Sequence, residues 1–135
     1  MEKEANNKES KYSQLRSEWI ANLRKKYNIV RMIGKQEFVY GFAKAKVNKN
    51  TQFVDGSHDK AFYSEAFVNA FAFGGVVVFD TDNEVIAKKL LAIIEDKKLN
   101  LGGCDVAMHK KFFCLLRFDG LKSDDYFLNG RLYQL

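Results

Sequence analysis

The chain has 135 residues, 47% hydrophobic and 29% charged, with a formal net charge of +5 and no proline. That composition fits one folded domain with a core of its own, and the absence of proline argues against a proline-rich linker. Two cysteines, Cys104 and Cys114, are too few for a disulfide scaffold, and no apolar run reaches the ~18–20 residues of a membrane span.

Residues 1–12 are polar and without period, and read as a disordered tail with neither signal- nor transit-peptide character. The low cysteine count makes the cytoplasm the expected compartment. Residues 13–26 read as an amphipathic helix with Ser13 as cap and Leu15, Trp19, Ile20 and Leu23 on one stripe. Residues 28–33 and 37–47 are ambiguous. Phe38, Tyr40 and Phe42 alternate with Val39, Gly41 and Ala43, which fits a strand, with a helix as the alternative. Asn48-Lys49-Asn50 and Asp55-Gly56-Ser57 mark turns.

Residues 60–72 repeat at helical spacing through Phe62, Ala66, Ala70 and Phe73, and Gly74-Gly75 ends that helix. Val76–Phe79 is an unbroken apolar run and reads as a central strand buried on both faces. It ends in Asp80-Thr81-Asp82. Residues 84–97 predict a helix with Val85, Ile86, Leu90, Ile93 and Ile94 inward. After Gly102-Gly103, residues 104–108 and 111–118 read as strands or as one bent strand, and Asn129-Gly130 marks a hairpin within 127–135. The expected architecture for 13–135 is a single α+β domain with a mixed or antiparallel central sheet and helices packed on it.

The charge is unevenly spread. Residues 14–50 hold nine basic side chains (Arg16, Arg24, Lys25, Lys26, Arg31, Lys35, Lys44, Lys46, Lys49) against Glu18 and Glu37. Residues 51–135 hold ten basic and twelve acidic ones. A basic section beside a net-acidic one suits a protein that holds a phosphate backbone with one part and metal ions with the other. Arg24, Lys25, Lys26, Arg31, Lys35, Lys44 and Lys46 are the candidate nucleic-acid contacts; a solvated helix face is the plain alternative.

Asp80-x-Asp82 at a strand end is the main chemical signal. Side chains two apart on a strand share a face. Two carboxylates so placed can hold Mg²⁺ or Mn²⁺ for phosphoryl or nucleotidyl transfer. The alternative is structural: Thr81 and Glu84 have capping-box spacing, which leaves Asp82 to favour a helix N-terminus. His109, followed by Lys110 and Lys111, can donate to a triphosphate oxygen, or be a surface histidine in a loop. Cys104, His109 and Cys114 lack the fourth ligand and the spacing of structural zinc. No Gly-x-Gly-x-x-Gly or Walker-type loop is present. Most of the 12 Phe read as core, Phe62, Phe67, Phe71 and Phe73 as one cluster, while Tyr27 and Tyr40 are candidates for stacking on bases.

The order of these pieces resembles the archaeo-eukaryotic primase superfamily, in particular the primase-polymerase domains of phage and plasmid replication proteins. The match covers about residues 70–118. Val77-Val78-Phe79-Asp80-Thr81-Asp82 stands for the first motif and Ala107-Met108-His109 for the second, with Met108 where glycine is frequent. For a third acidic motif only Asp119, Asp124 and Asp125 offer themselves. The resemblance implies a palm-like or RRM-like fold and metal-dependent nucleotide addition on a single-stranded DNA template. Asp80 and Asp82 would carry the metals, and His109, Lys110 and Lys111 would face the nucleoside triphosphate. It also allows a helicase domain or partner, with this chain as either the N-terminal part of a larger replication protein or a minimal version of the family core. The competing expectation is a non-enzymatic basic module of a mobile element that binds nucleic acid or a host protein.

Overall fold

Strand β3, Val76–Thr81, is the organising element of the computed structural model, which describes residues 22, 24–32 and 35–118. Val76, Val77, Val78 and Phe79 are all buried, so both faces of the strand are covered, as its unbroken apolar run requires. It pairs in parallel with β6, Phe113–Phe118, on one side and with β2, Gln52–Asp55, on the other. β1, Ile29–Met32, pairs in parallel with β6, so the four-stranded sheet runs β1-β6-β3-β2.

The α+β expectation holds, but the mixed or antiparallel central sheet does not: every pairing in this sheet is parallel. The antiparallel pairing sits apart, in a hairpin of β4, Lys98–Leu101, and β5, Cys104–Ala107, turned by Gly102-Gly103. Residues 104–108 and 111–118 thus contribute to two strands in two different sheets. Strand β2 corresponds to residues left unassigned by pattern, because four residues with one buried side chain carry too little periodicity.

Helix α1, Gln36–Phe42, continues as a π-helical turn, Ala43–Val47, where the sequence favoured a strand. The apparent alternation is a helical face in disguise. Val39 and Ala43, four apart, are buried against the sheet, and Phe38 is 56% exposed. With Val30, Met32, Val76, Val78, Phe113 and Leu115 they form the core of one sheet face.

The opposite face is covered by a 3₁₀ turn, Asp59–Tyr63, by α2, Glu65–Phe73, and by α3, Glu84–Asp96. Residues 60–72 are thus two helices, because Ser64 is extended and its side chain accepts from the Phe67 amide as the cap of α2. Gly74 ends α2 with a left-handed φ of 87°. Phe67 anchors this layer. Its ring contacts Phe62, Phe71, Phe79 and Phe112 at centroid distances of 5.6–5.9 Å. Two side chains expected inside are not. Phe73, in the last turn of α2, is 77% exposed and Val85, in the first turn of α3, 70%.

The tail, the Ser13-capped stripe through Leu15, Trp19, Ile20 and Leu23, and the Asn129-Gly130 hairpin lie outside the described residues. No described helix is long and apolar enough to cross a membrane.

Replacing Phe67 by Ala should cost about 3–5 kcal/mol, the range for an aromatic removed from a closed core. Phe73→Ala should leave the unfolding midpoint nearly unchanged. Parallel urea titrations of the two variants measure the contrast.

Candidate functional site

The apolar run of the sheet ends abruptly. Asp55, Asp80 and Arg117 are register partners on β2, β3 and β6, at the last or next-to-last position of each strand. Side-chain alternation puts all three on the α1 face of the sheet, in line with Val78 and Leu115. They line a cleft of about 370 Å³ at the carboxyl ends of the strands, together with Gln36, Ser57 and Asp82. A parallel sheet commonly carries its chemistry at this end.

Each member is held by identifiable contacts. Arg117 donates to Asp80 Oδ1 at 2.9 Å, and the two side chains are only 19% and 15% exposed. The Gly56 amide donates to the Asp80 carbonyl at 2.6 Å, tying the β2 turn to the end of β3. A Cβ at Gly56 would lie 2.4 Å from the Phe79 ring and 2.7 Å from that carbonyl, so this close approach needs glycine. Asp55 Oδ1 accepts from the Ser57 amide and hydroxyl, and these bonds hold its carboxyl below the usual carboxylate range.

Asp82 lies one residue beyond β3 and is exposed. The helix cap expected of Thr81 belongs to Asn83, whose Oδ1 accepts from the Val85 amide at 2.9 Å. Thr81 is buried, accepts from the Asn83 amide, and points to the other face. Glu84 pairs with Lys88 one turn on instead of completing a capping box. Asp80 and Asp82 both line the cleft, Asp80 paired with Arg117 and Asp82 one residue before the Asn83 cap.

His109 is elsewhere. Its amide donates to the Phe71 carbonyl and its Nδ1 accepts from the Lys111 amide. Its ring packs on Gly74, where a Cβ would meet Nδ1 at 2.5 Å. These neighbours sit at the amino end of the sheet, beside the Val76–Phe113 pair, and from there to Asp80 is ~13 Å of strand. His109, Lys110 and Lys111 thus do not meet Asp80 and Asp82 in one cleft.

The basic candidates divide in the same way. Arg31 is only 8% exposed, and its guanidinium donates through Nε and NH2 to the Phe118 carbonyl; it is a core contact, not a phosphate ligand. Arg24 is partly buried over the Phe113 ring, and desolvation pulls its pKa below the usual value. Lys25, Lys26, Lys35, Lys44 and Lys46 are exposed. Tyr40 is occupied by stacking on Phe53 and by Lys44 over its ring, and Tyr27 packs against the α1-side core. Cys114 is fully buried, which pushes its thiol pKa up, whereas Cys104 lies exposed in the hairpin. Cys104 and Cys114 thus stand in different environments, one exposed on the hairpin and one in the core. Arg16, Asp119, Asp124 and Asp125 lie outside the described residues.

Sequence reasoning missed Asp55 and Arg117. Asp55 was legible only as a turn residue, and Arg117 only as a lone charge in an apolar strand. Among the described residues no three His, Cys, Asp or Glu side chains are grouped to hold a metal. A magnesium-type site needs fewer: one or two carboxylates, with water and substrate phosphates completing the shell. Asp80 and Asp82, which line one cleft, are the residues that could hold such an ion. No protein-family model matches the chain, and comparison with curated protein sequences gives no significant match. What the fold and site define is an α+β domain with a carboxylate–arginine cleft at the carboxyl end of a parallel sheet.

Two outcomes follow. Arg117→Met should destabilise the fold by about 1.5–3 kcal/mol by stranding a largely buried carboxylate, and adding Asp80→Asn should recover part of the loss in a double-mutant cycle. Because the Asp55 pKa is depressed in the folded state, its contribution is present above the ordinary carboxylate range and fades as pH falls through the folded value. The gap in melting temperature between the parent and Ser57→Ala should therefore narrow on acidification.

Proposed function

We propose that the carboxyl-end cleft is a divalent-cation-dependent site for nucleotide phosphates, and that the chain is a primase-polymerase-like nucleotidyltransferase domain acting on a single-stranded DNA template in phage or plasmid replication. The observation that supports this reading is the convergence of Asp80, Asp82 and Arg117 on one cleft. In it, Asp80 and Asp82 would hold Mg²⁺ or Mn²⁺, and the ion would neutralise charge on the phosphates. Arg117 is placed to take a phosphate oxygen as Asp80 turns toward the cation, a bidentate-capable donor suited to that ligand. Gln36 and Ser57 add neutral polar groups at the rim.

The reading rests on the carboxylates and Arg117 and not on His109, which lies at the other end of the sheet. The palm-like or RRM-like part of the resemblance also draws no support from a sheet whose strands all run parallel. One observation favours the second reading, a non-enzymatic module: at 2.9 Å the Arg117 guanidinium already neutralises Asp80, so the cleft can be a structural ion pair and nothing more.

Thermal unfolding with Mn²⁺ and a nucleoside triphosphate separates the two. The proposed site should raise the melting temperature only when both are present, with a gain of roughly 2.7 kcal/mol at a hundredfold excess over the dissociation constant. Asp82→Asn, an exposed and structurally mild change, should abolish the rise. A parent protein unaffected by the metal and nucleotide together sinks the enzyme reading and leaves the module.

A further inference from the structure

At the amino end of the sheet, away from the carboxylate cleft, lies a wider groove of about 820 Å³. Asn48, Asn50, Gln52 and Asn69 line it, with Glu65 and the side chain of Phe73. We infer that this groove binds single-stranded nucleic acid, with a base stacked on Phe73 and its edge read by the surrounding amides.

Three observations converge. Phe73 is 77% exposed and lines the groove, and the left-handed Gly74 that follows it ends α2. A lone exposed aromatic means little, but one set among side-chain amides is the combination that stacks on a base and hydrogen-bonds its edge. The amide wall is also preformed. Asn48 Oδ1 accepts from the Asn50 amide, Gln52 Nε2 donates to the Asn50 carbonyl, and the Thr51 amide and hydroxyl donate to the Asn48 carbonyl. Asn69, on α2, lines the same groove with an exposed side-chain amide that makes no hydrogen bond to another described side chain or to the backbone.

The charge distribution selects the ligand class. The polar side chains inside the groove are neutral amides and one carboxylate, so phosphates are disfavoured there, while Glu65 can accept from an exocyclic amine. Outside, Lys46 and Lys49 are exposed and adjoin the wall residues Asn48 and Asn50 in the chain. Lys110 and Lys111 are exposed beside His109, which packs on Gly74 of the groove. Bases in and phosphates out suits a single strand; a duplex keeps its bases stacked away from such a wall. This inference rests on the proposed reading in one respect, that a template strand is the polymer that reading requires. It also relocates part of the basic section 14–50: the Lys44–Lys49 stretch serves this end of the sheet.

Fluorescence anisotropy with labelled single-stranded DNA, RNA of the same sequence, and the DNA duplex, all in chelator, tests it on the full chain. Either single strand should bind more tightly than the duplex. Phe73→Ala should weaken that binding by about 5- to 100-fold, as loss of one base–aromatic stack does. Asn69→Ala should weaken it less, and Lys46→Ala/Lys49→Ala should lower the salt slope by about 1.4 for two phosphate contacts. All three changes are on the surface, and unchanged melting temperatures confirm that the fold is intact. Parent-like binding by both Phe73→Ala and Asn69→Ala, with only the lysine pair mattering, overturns the inference in favour of a plain polyanion surface. Failure of the parent to bind any single strand overturns it outright. Asp82→Asn should bind like the parent here, so failure of the metal-and-nucleotide site does not mimic failure of this one.

Discussion

The parallel pairing of β3 with β6, two strands buried on both faces, is the constraint from which the rest of the structure follows. Parallel neighbours cannot be joined by a tight turn. The chain must therefore leave the sheet after β3, cross over through α3 and the β4–β5 hairpin, and return at the far end to start β6. The same logic places α2 between β2 and β3. Layers on both faces of the sheet arise because neither face of a strand reading Val-Val-Val-Phe can be left to water.

That constraint also divides the molecule into two ends with different chemistry. At the carboxyl end the apolar strands give out together, and three neighbouring strands present Asp55, Asp80 and Arg117 in one row. The charges sit where burial is falling but not gone. Breaking a largely buried ion pair there strands a charge, and the Gly56–Asp80 backbone hydrogen bond ties the β2 turn to it. At the amino end the crossovers enter the strands. There the structure gathers amides, an exposed aromatic and, close by in the chain, lysines and His109.

Residues that sequence spacing groups together are thus separated by the fold, and others are joined. Asp80 and His109 stand 29 positions apart and at opposite ends of the sheet, because His109 precedes β6 whereas Asp80 nearly ends β3. Asp55 and Arg117 have no sequence relation to Asp80 and are its register partners on either side. Arg31 shows the same lesson for charge. It counted toward a basic section, yet its guanidinium is spent on the Phe118 carbonyl inside the protein.

Read alone, the sequence determined what local periodicity and local chemistry control. The buried strand at Val76–Phe79, the helix that follows it, the stop at Gly74-Gly75 and the placement of Asp80 at a strand end were all legible, because each depends on a few adjacent side chains. It also marked Asp80 and Asp82 as a carboxylate pair open to either a metal or a helix N-terminus. Tertiary structure decided the direction of the strands, the helical state of 36–47, the membership of the cleft and the exile of His109 from it. Those outcomes depend on pairing between segments tens of residues apart, where the free energy lies in burying whole faces together. Periodicity within one segment carries no record of which neighbour it will meet.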